Sequence, residues 1–155
     1  CKKGKLVSTP GDAQLYLSDL PLYAVHCAID LLAEIRKHNA KDVYKEFLVH
    51  IAITFGEIHE TTSNIFTGTA INNAFFLAKV TLPNYILTDK MVYENLKSHP
   101  IDFRLISLDT PIPEYADDIF SVRTNENLNG GSARRIEELK IGVKSLMDIA
   151  GLGEE

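Results

Sequence analysis

Two short stretches near the start of the chain have the period-two pattern of a strand. "KLVS" (5–8) reads as one strand. "AQLYLS" (13–18) reads as a second, with Leu15 and Leu17 alternating against Gln14 and Tyr16. "TPGD" (9–12) between them has turn chemistry, so the pair predicts a hairpin. The period then changes. Leu22, Val25, Ala28, Ile29, Leu32 and Ile35 recur at steps of three and four. That spacing predicts a helix over 20–38 with one buried face, Asp19 as its N-cap and Asn39 closing it.

Alternation returns in "FLVHIAIT" (47–54). Phe47, Val49, Ile51 and Ile53 share one face, and Leu48, His50, Ala52 and Thr54 the other. This predicts a central strand ending near Gly56, with His50 packed beside Leu48 and Ala52. "EIHETTSNIF" (57–66) reads as another strand or an extended loop. "TAINNAFFLAKV" (69–80) reads as a short helix stopped before Pro83. "YILT" (85–88) is a strand, and Asp89 caps a helix running to about Lys97. "DFRLISL" (102–108) and "DIFSVR" (118–123) complete the strands. A polar, Gly-containing linker, 124–132, follows. In 133–155 the residues Ile136, Leu139, Val143, Leu146 and Ala150 form a seam about two heptads long. Such a helix either docks on its own domain or pairs with a second copy. The order predicts one α+β domain over 1–123, a mainly antiparallel sheet with helices on one face, followed by the linker and the C-terminal amphipathic helix.

Charge narrows the partners. A net charge of −5, with no basic cluster beyond the opening "CKKGK", argues against DNA or RNA. It leaves room for a nucleotide site built from backbone amides and a metal. Two cysteines, Cys1 and Cys27, make no disulfide framework, so a reducing, cytoplasmic setting is the expectation. No apolar run approaches the roughly 18–20 residues that span a bilayer, and no signal peptide is visible. The chain opens in polar sequence leading straight into a strand, which suggests that an upstream segment belongs to the same domain.

Three pieces carry a resemblance: "GDAQLYLSDLPLYAVHCAIDLLAEI", "HIAITFGEI" and "FTGTAINNAFFLAKVTLPNYILTDKMVYENL". In order and spacing they look like the catalytic domain of class III nucleotidyl cyclases, across roughly residues 5–108. The resemblance implies a ferredoxin-like α+β core working as a head-to-tail dimer, either a homodimer or a cyclase-like heterodimer. Composite sites would form at the interface, with metal-binding carboxylates from one subunit and an Asn/Arg pair from the other. The implied reaction is attack of a ribose 3′-hydroxyl on the α-phosphate of ATP or GTP, with two metal ions, Mg2+ or Mn2+, holding the reacting oxygens.

Residue by residue, the resemblance gives Asp12 a metal-binding role. An acid on a tight turn suits a hard cation and equally suits the turn itself. Ser8 stands where the family carries a purine-selecting Lys or Glu; it is a base contact or an exposed strand serine. Asn72 matches the ribose-orienting asparagine and could instead cap the helix. Phe76, one helical turn on, stands where the family places its transition-state arginine. Phenylalanine brings neither charge nor hydrogen-bond donors to a phosphate, and losing such a group typically costs roughly two or more orders of magnitude in rate. Lys79 is about two turns from Asn72 and is a surface lysine or a substitute cation. The second purine-selecting position is Ile65. "DTPIPEYADD" (109–118), where a phosphate-contacting lysine is expected, has four acids and no lysine. Of the positions compared besides Asp12, only Asn72 keeps the family's residue type.

His59 and Glu60 are adjacent, so in a strand they point to opposite faces and make a poor metal pair. His26 beside Cys27 has no base–nucleophile spacing. No Walker A loop, Gly-x-Ser-x-Gly or Cys-x-x-Cys occurs. The pattern predicts a catalytically degenerate cyclase-like domain with a regulatory or dimerising role in signalling and no cofactor. Two other functions remain open: a divergent active cyclase, which needs an upstream aspartate, a substitute cation for Phe76 and a metal, and a small-ligand sensor using the vestigial dimer cleft, which Phe75 and Phe76 would make more apolar.

Overall fold

The computed structural model describes residues 4–7, 11–41, 46–106 and 118–124. Ser8, the acidic stretch 109–117, the linker beyond Thr124 and the segment 133–155 lie outside the described residues.

Strands β1 (Gly4–Val7) and β2 (Leu15–Ser18) form the expected antiparallel hairpin, with Leu6 opposite Tyr16. Helix α1 (Pro21–Lys41) follows. The carbonyl of Leu20 accepts N–H bonds from Tyr23 and Ala24, so the cap position is Leu20 rather than Asp19. Pro21 then stands at the first helical position, where its missing N–H costs nothing. The helix runs past Asn39. That side chain instead clamps the incoming chain: its Nδ2 donates to the carbonyl of Phe47 (3.0 Å) and its Oδ1 accepts from the Phe47 N–H (2.9 Å). Buried Val25, Ala28 and Leu32 keep the predicted spacing.

Strand β3 (His50–Ile53) is shorter than its alternating stretch. The segment 57–66 resolves into a hairpin, β4 (His59–Thr62) and β5 (Ile65–Thr67). Asn64 makes its turn with φ 65°, a conformation asparagine tolerates well. Helix α2 (Thr69–Val80), β6 (Tyr85–Asp89) and α3 (Lys90–Leu96) follow as predicted, then β7 (Phe103–Ile106) and β8 (Ile119–Val122).

The main sheet has the order β3-β6-β8-β7. β3 and β6 are parallel, and the other two pairings are antiparallel. Two expectations change here. Among the described residues β3 is an edge strand, not a central one. His50 on it is exposed rather than packed. The helices also cover both faces of the sheet, not one. On one face α2 contributes Leu77 and Val80 to a core with Leu87, Ile106 and Ile119. On the other, Val25, Ala28 and Leu32 of α1 and Val92 and Leu96 of α3 meet Ile53, Ile86 and Val122. Neighbours Ile86 and Leu87 on β6 serve opposite cores, as a strand's alternation requires. The continuous apolar reading of "YILT" is the mark of a strand buried on both sides.

No helix among the described residues is long and apolar enough to cross a membrane. Cys27, half-buried on α1, is disulfide-bonded, which departs from the expectation of reduced thiols.

Leu87 is fully buried beneath α2. Replacing it with alanine should lower unfolding stability by about 2–5 kcal/mol, as such truncations do. A urea titration followed by circular dichroism measures the change.

Candidate functional site

The family-like motifs meet at the carboxyl ends of the parallel pair β3 and β6. As β3 ends, the Thr54 hydroxyl donates to the carbonyl of Ala70 at the start of α2 (2.6 Å). One residue on, the Phe55 N–H donates to Asp89 Oδ2 (3.2 Å). The other oxygen of Asp89 accepts from the Val92 N–H (2.9 Å), capping α3. One buried carboxylate thus fixes both the loop leaving β3 and the start of α3. Asp89 was predicted as a cap; its second bond, to a residue 34 positions away, is a tertiary contact that local spacing does not encode.

Two glycines let the loop lie against α2. A Cβ on Gly56 would stand 3.3 Å from that of Ala70. Gly68 has φ 146°, and a Cβ there would come within 2.4 Å of the Glu57 carbonyl oxygen. Gly68 is also the N-cap of α2 and offers no side chain. Its carbonyl accepts from Ile71 and Asn72. Neither Asn72 nor Asn73 is therefore a cap. Asn72 is exposed and Asn73 half-buried.

Phe76 lies one turn along α2, half-buried and packed against the Leu77–Leu87–Ile119 core. Its neighbour Phe75 is the exposed ring. The two phenylalanines therefore divide, one towards the core and one outward. Lys79 is exposed in the last turn. Ile65 is 56% exposed on β5. Phe55 and Ile58 add further exposed apolar surface in the loop after β3. These residues carry no periodic signal, because they sit in a loop and a short hairpin. The only sequence cue is their apolar character beside glycine and polar residues.

Asp12 is exposed in the β1–β2 turn, next to Gly11 with φ 81°. The base of that hairpin touches β5, where Lys5 Nζ stands 4.9 Å above the ring of Phe66. Among the described residues no group of three or more His, Cys, Asp or Glu side chains is placed to hold a metal. Asp12 offers one carboxylate where a bound divalent cation needs several oxygen donors, so these residues do not by themselves fit the implied two-metal centre. His59 Nε2 lies 3.9 Å from Glu57 Oε2 on the open surface, while Glu60 accepts the Asn64 N–H.

The chain matches no protein-family model and no curated protein. Its fold is similar to that in the crystal structure of the adenylate/guanylate cyclase/hydrolase from Silicibacter pomeroyi, with a TM-score of 0.68 at 21% identity. The match covers 79% of this chain and 73% of that one. The fold is thus cyclase-like.

Two substitutions separate scaffold from site. Asp89→Ala removes a cap and orphans the Phe55 N–H, and should cost about 2–4 kcal/mol. Asn72→Ala removes an exposed side chain and should stay within about 0.5 kcal/mol of the parent. Thermal and urea unfolding of the two variants side by side measures both.

Proposed function

We propose that this chain is a catalytically degenerate nucleotidyl cyclase-like domain that acts by association, in a regulatory or dimerising role. The observation that carries the reading is Phe76. The position where a cyclase needs a cation beside the α-phosphate is occupied by a ring packed into the protein's own core. Restoring charge there would give up the ring's packing against the Leu77, Leu87 and Ile119 cluster. Asp12, alone on its turn, and Ile65, apolar where a base-reading group is expected, point the same way. The likeness to the Silicibacter pomeroyi protein, named a cyclase/hydrolase, supplies the reaction class against which these departures are judged.

A second reading keeps one supporting observation. Asn72 is exposed, and its side chain makes no hydrogen bond to the described residues. An amide in that state is available to a ribose hydroxyl, as a divergent active cyclase would require. One assay separates the two. Protein at micromolar concentration is incubated with Mg2+ or Mn2+ and with ATP or GTP, and cyclic nucleotide is measured against a buffer blank. The degenerate reading expects none. Turnover above the blank that is lost in Asn72→Ala establishes the active reading instead.

The exposed apolar residues Phe55, Ile58, Ile65 and Phe75 suit a protein partner, and a second copy of the chain is the partner we propose. Light scattering should give a dimer mass. Ile65→Lys should shift it to monomer, while removal of residues 133–155 should weaken the dimer if their seam pairs between copies. A monomer mass across the accessible concentration range overturns the dimer.

A further inference from the structure

Helix α3 lies over β6 and β8, and α1 lies beside it over β3. The outer strand β7 keeps a partly open face. Phe103 and Leu105 are two apart on β7 and pair with Val122 and Phe120, so they share the face that α3 covers. Tyr93 of α3 stacks on Phe120, with ring centroids 4.2 Å apart, and meets Phe103 edge-on at 5.6 Å. There the cover stops. Tyr93 and Phe103 are half-buried, and Leu105 is 49% exposed. Among the described residues no helix lies beyond α3 on this side. Packed helices have axes about 8–10 Å apart, and paired strands lie about 4.7–4.9 Å apart. A further helix beside α3 would therefore run along the outer border of β7 and close over these three side chains.

The chain delivers a segment to this place. β8 runs antiparallel to β7, so it leaves the sheet where β7 enters it. The exit is pinned: the Arg123 N–H donates to the Asp102 carbonyl (2.8 Å), and Arg123 Nε stands 3.6 Å from Asp102 Oδ2. Residues 125–132 follow, then "ARRIEELKIGVKSLMDIAGLG". A connection of that length is within the usual range of roughly 2–8 residues between packed elements. In a helix, Ile136, Leu139, Val143, Leu146 and Ala150 make an apolar stripe roughly 21 Å long, while Glu137, Glu138, Lys144 and Asp148 take other sides. Other exposed apolar groups are worse placed. Phe55 and Ile58 follow β3 at the far end of the sheet, where Phe55 bonds Asp89 beside the start of β8. Leu48 is at the near end, but across β6 from β8.

We infer that the segment 133–155 docks as a helix on its own domain, its apolar seam closed over Tyr93, Phe103 and Leu105 as a third helix beside α1 and α3. The tether decides the occupant. A short flexible linker holds the seam at a roughly millimolar effective concentration, so a second copy at micromolar concentration competes poorly for the same surface. The seam is then used within one chain and is not free to pair between chains. This inference rests on the β7 border and the chain's exit from β8, and it stands whether or not two copies associate through Ile65.

Amide hydrogen exchange on the full chain tests it. Amides within 137–150 should exchange at least about tenfold more slowly than unstructured chain, to the same extent at every protein concentration. Leu105→Glu should remove that protection while Ile86 and Leu87 in β6 keep theirs, and the milder Leu105→Ala should act in the same direction. Leu48→Glu, on exposed surface across the sheet, should leave it unchanged. In thermal unfolding, Leu105→Glu should lower the midpoint by about 2 °C or more in the full chain and should not lower it once residues 133–155 are removed. Unprotected amides in 137–150 overturn the inference, as does protection indifferent to both Leu105 variants. Protection lost in Leu48→Glu places the helix elsewhere, and protection that grows with concentration assigns the seam to a second copy; either result overturns it too.

Discussion

Burial of β6 on both faces is the constraint on which the rest depends. Tyr85, Ile86, Leu87, Thr88 and Asp89 are all buried. Ile86 serves the core beneath α1 and α3, and Leu87 the core beneath α2. Neither helix layer could reach the other without this strand. β6 also pairs with β3 on one side and β8 on the other, so it holds the sheet's order as well as its layers. A strand in this position has no polar face to give to solvent. Its last residue must then account for a buried carboxylate, and Asp89 does so by accepting from two backbone N–H groups at once.

That carboxylate transmits order from the core to the candidate site. Through Phe55 it fixes the loop that leaves β3. Through Thr54 and the two close glycine contacts, the loop fixes the start of α2. Asn72 and Phe76 then have no freedom to choose their directions. Helical spacing puts them on one flank, and the anchoring of the first turn decides that Phe76 meets the core while Asn72 meets water. The site's chemistry is thus a consequence of how α2 is seated, and α2 is seated by a residue that touches no candidate ligand.

Much of this order was legible in the sequence because it is local. The α2 boundaries follow from period and from Gly68 and Pro83. The Asp89 cap follows from an acid placed before a helical run, and β6 from an uninterrupted apolar stretch. What the sequence hid is set by long-range pairing. The alternation in 47–54 names two faces correctly and says nothing about which edge is paired, so β3 read as central and His50 as packed. Alternation in 102–108 and 118–123 likewise left the second helix layer unseen, because covering one face or both is decided by where α2 crosses. Residues 57–66 read as one strand because the Ser63–Asn64 turn lacks the glycine that usually announces a hairpin. For the site, the identity of Phe76 was legible and its direction was not. Sequence alone did not separate the directions of Phe75 and Phe76, whereas the structure turns one inward and one outward.

The split bears on what a phenylalanine at position 76 contributes to a cyclase-like fold. A transition-state cation has to sit at a surface where it meets phosphate, and it contributes little to the core behind it. A phenylalanine at the same helical position gains by turning inward, since burying an aromatic side chain is worth about 1.5–3 kcal/mol. Once the ring is part of the core with Leu77, Leu87 and Ile119, returning a charge to that position carries a folding cost as well as a chemical gain. The scaffold is held by β6, Asp89 and Gly68 through core packing and backbone contacts. Phe55, Ile65 and Phe75 leave apolar surface exposed beside this seating, which suits an apolar partner.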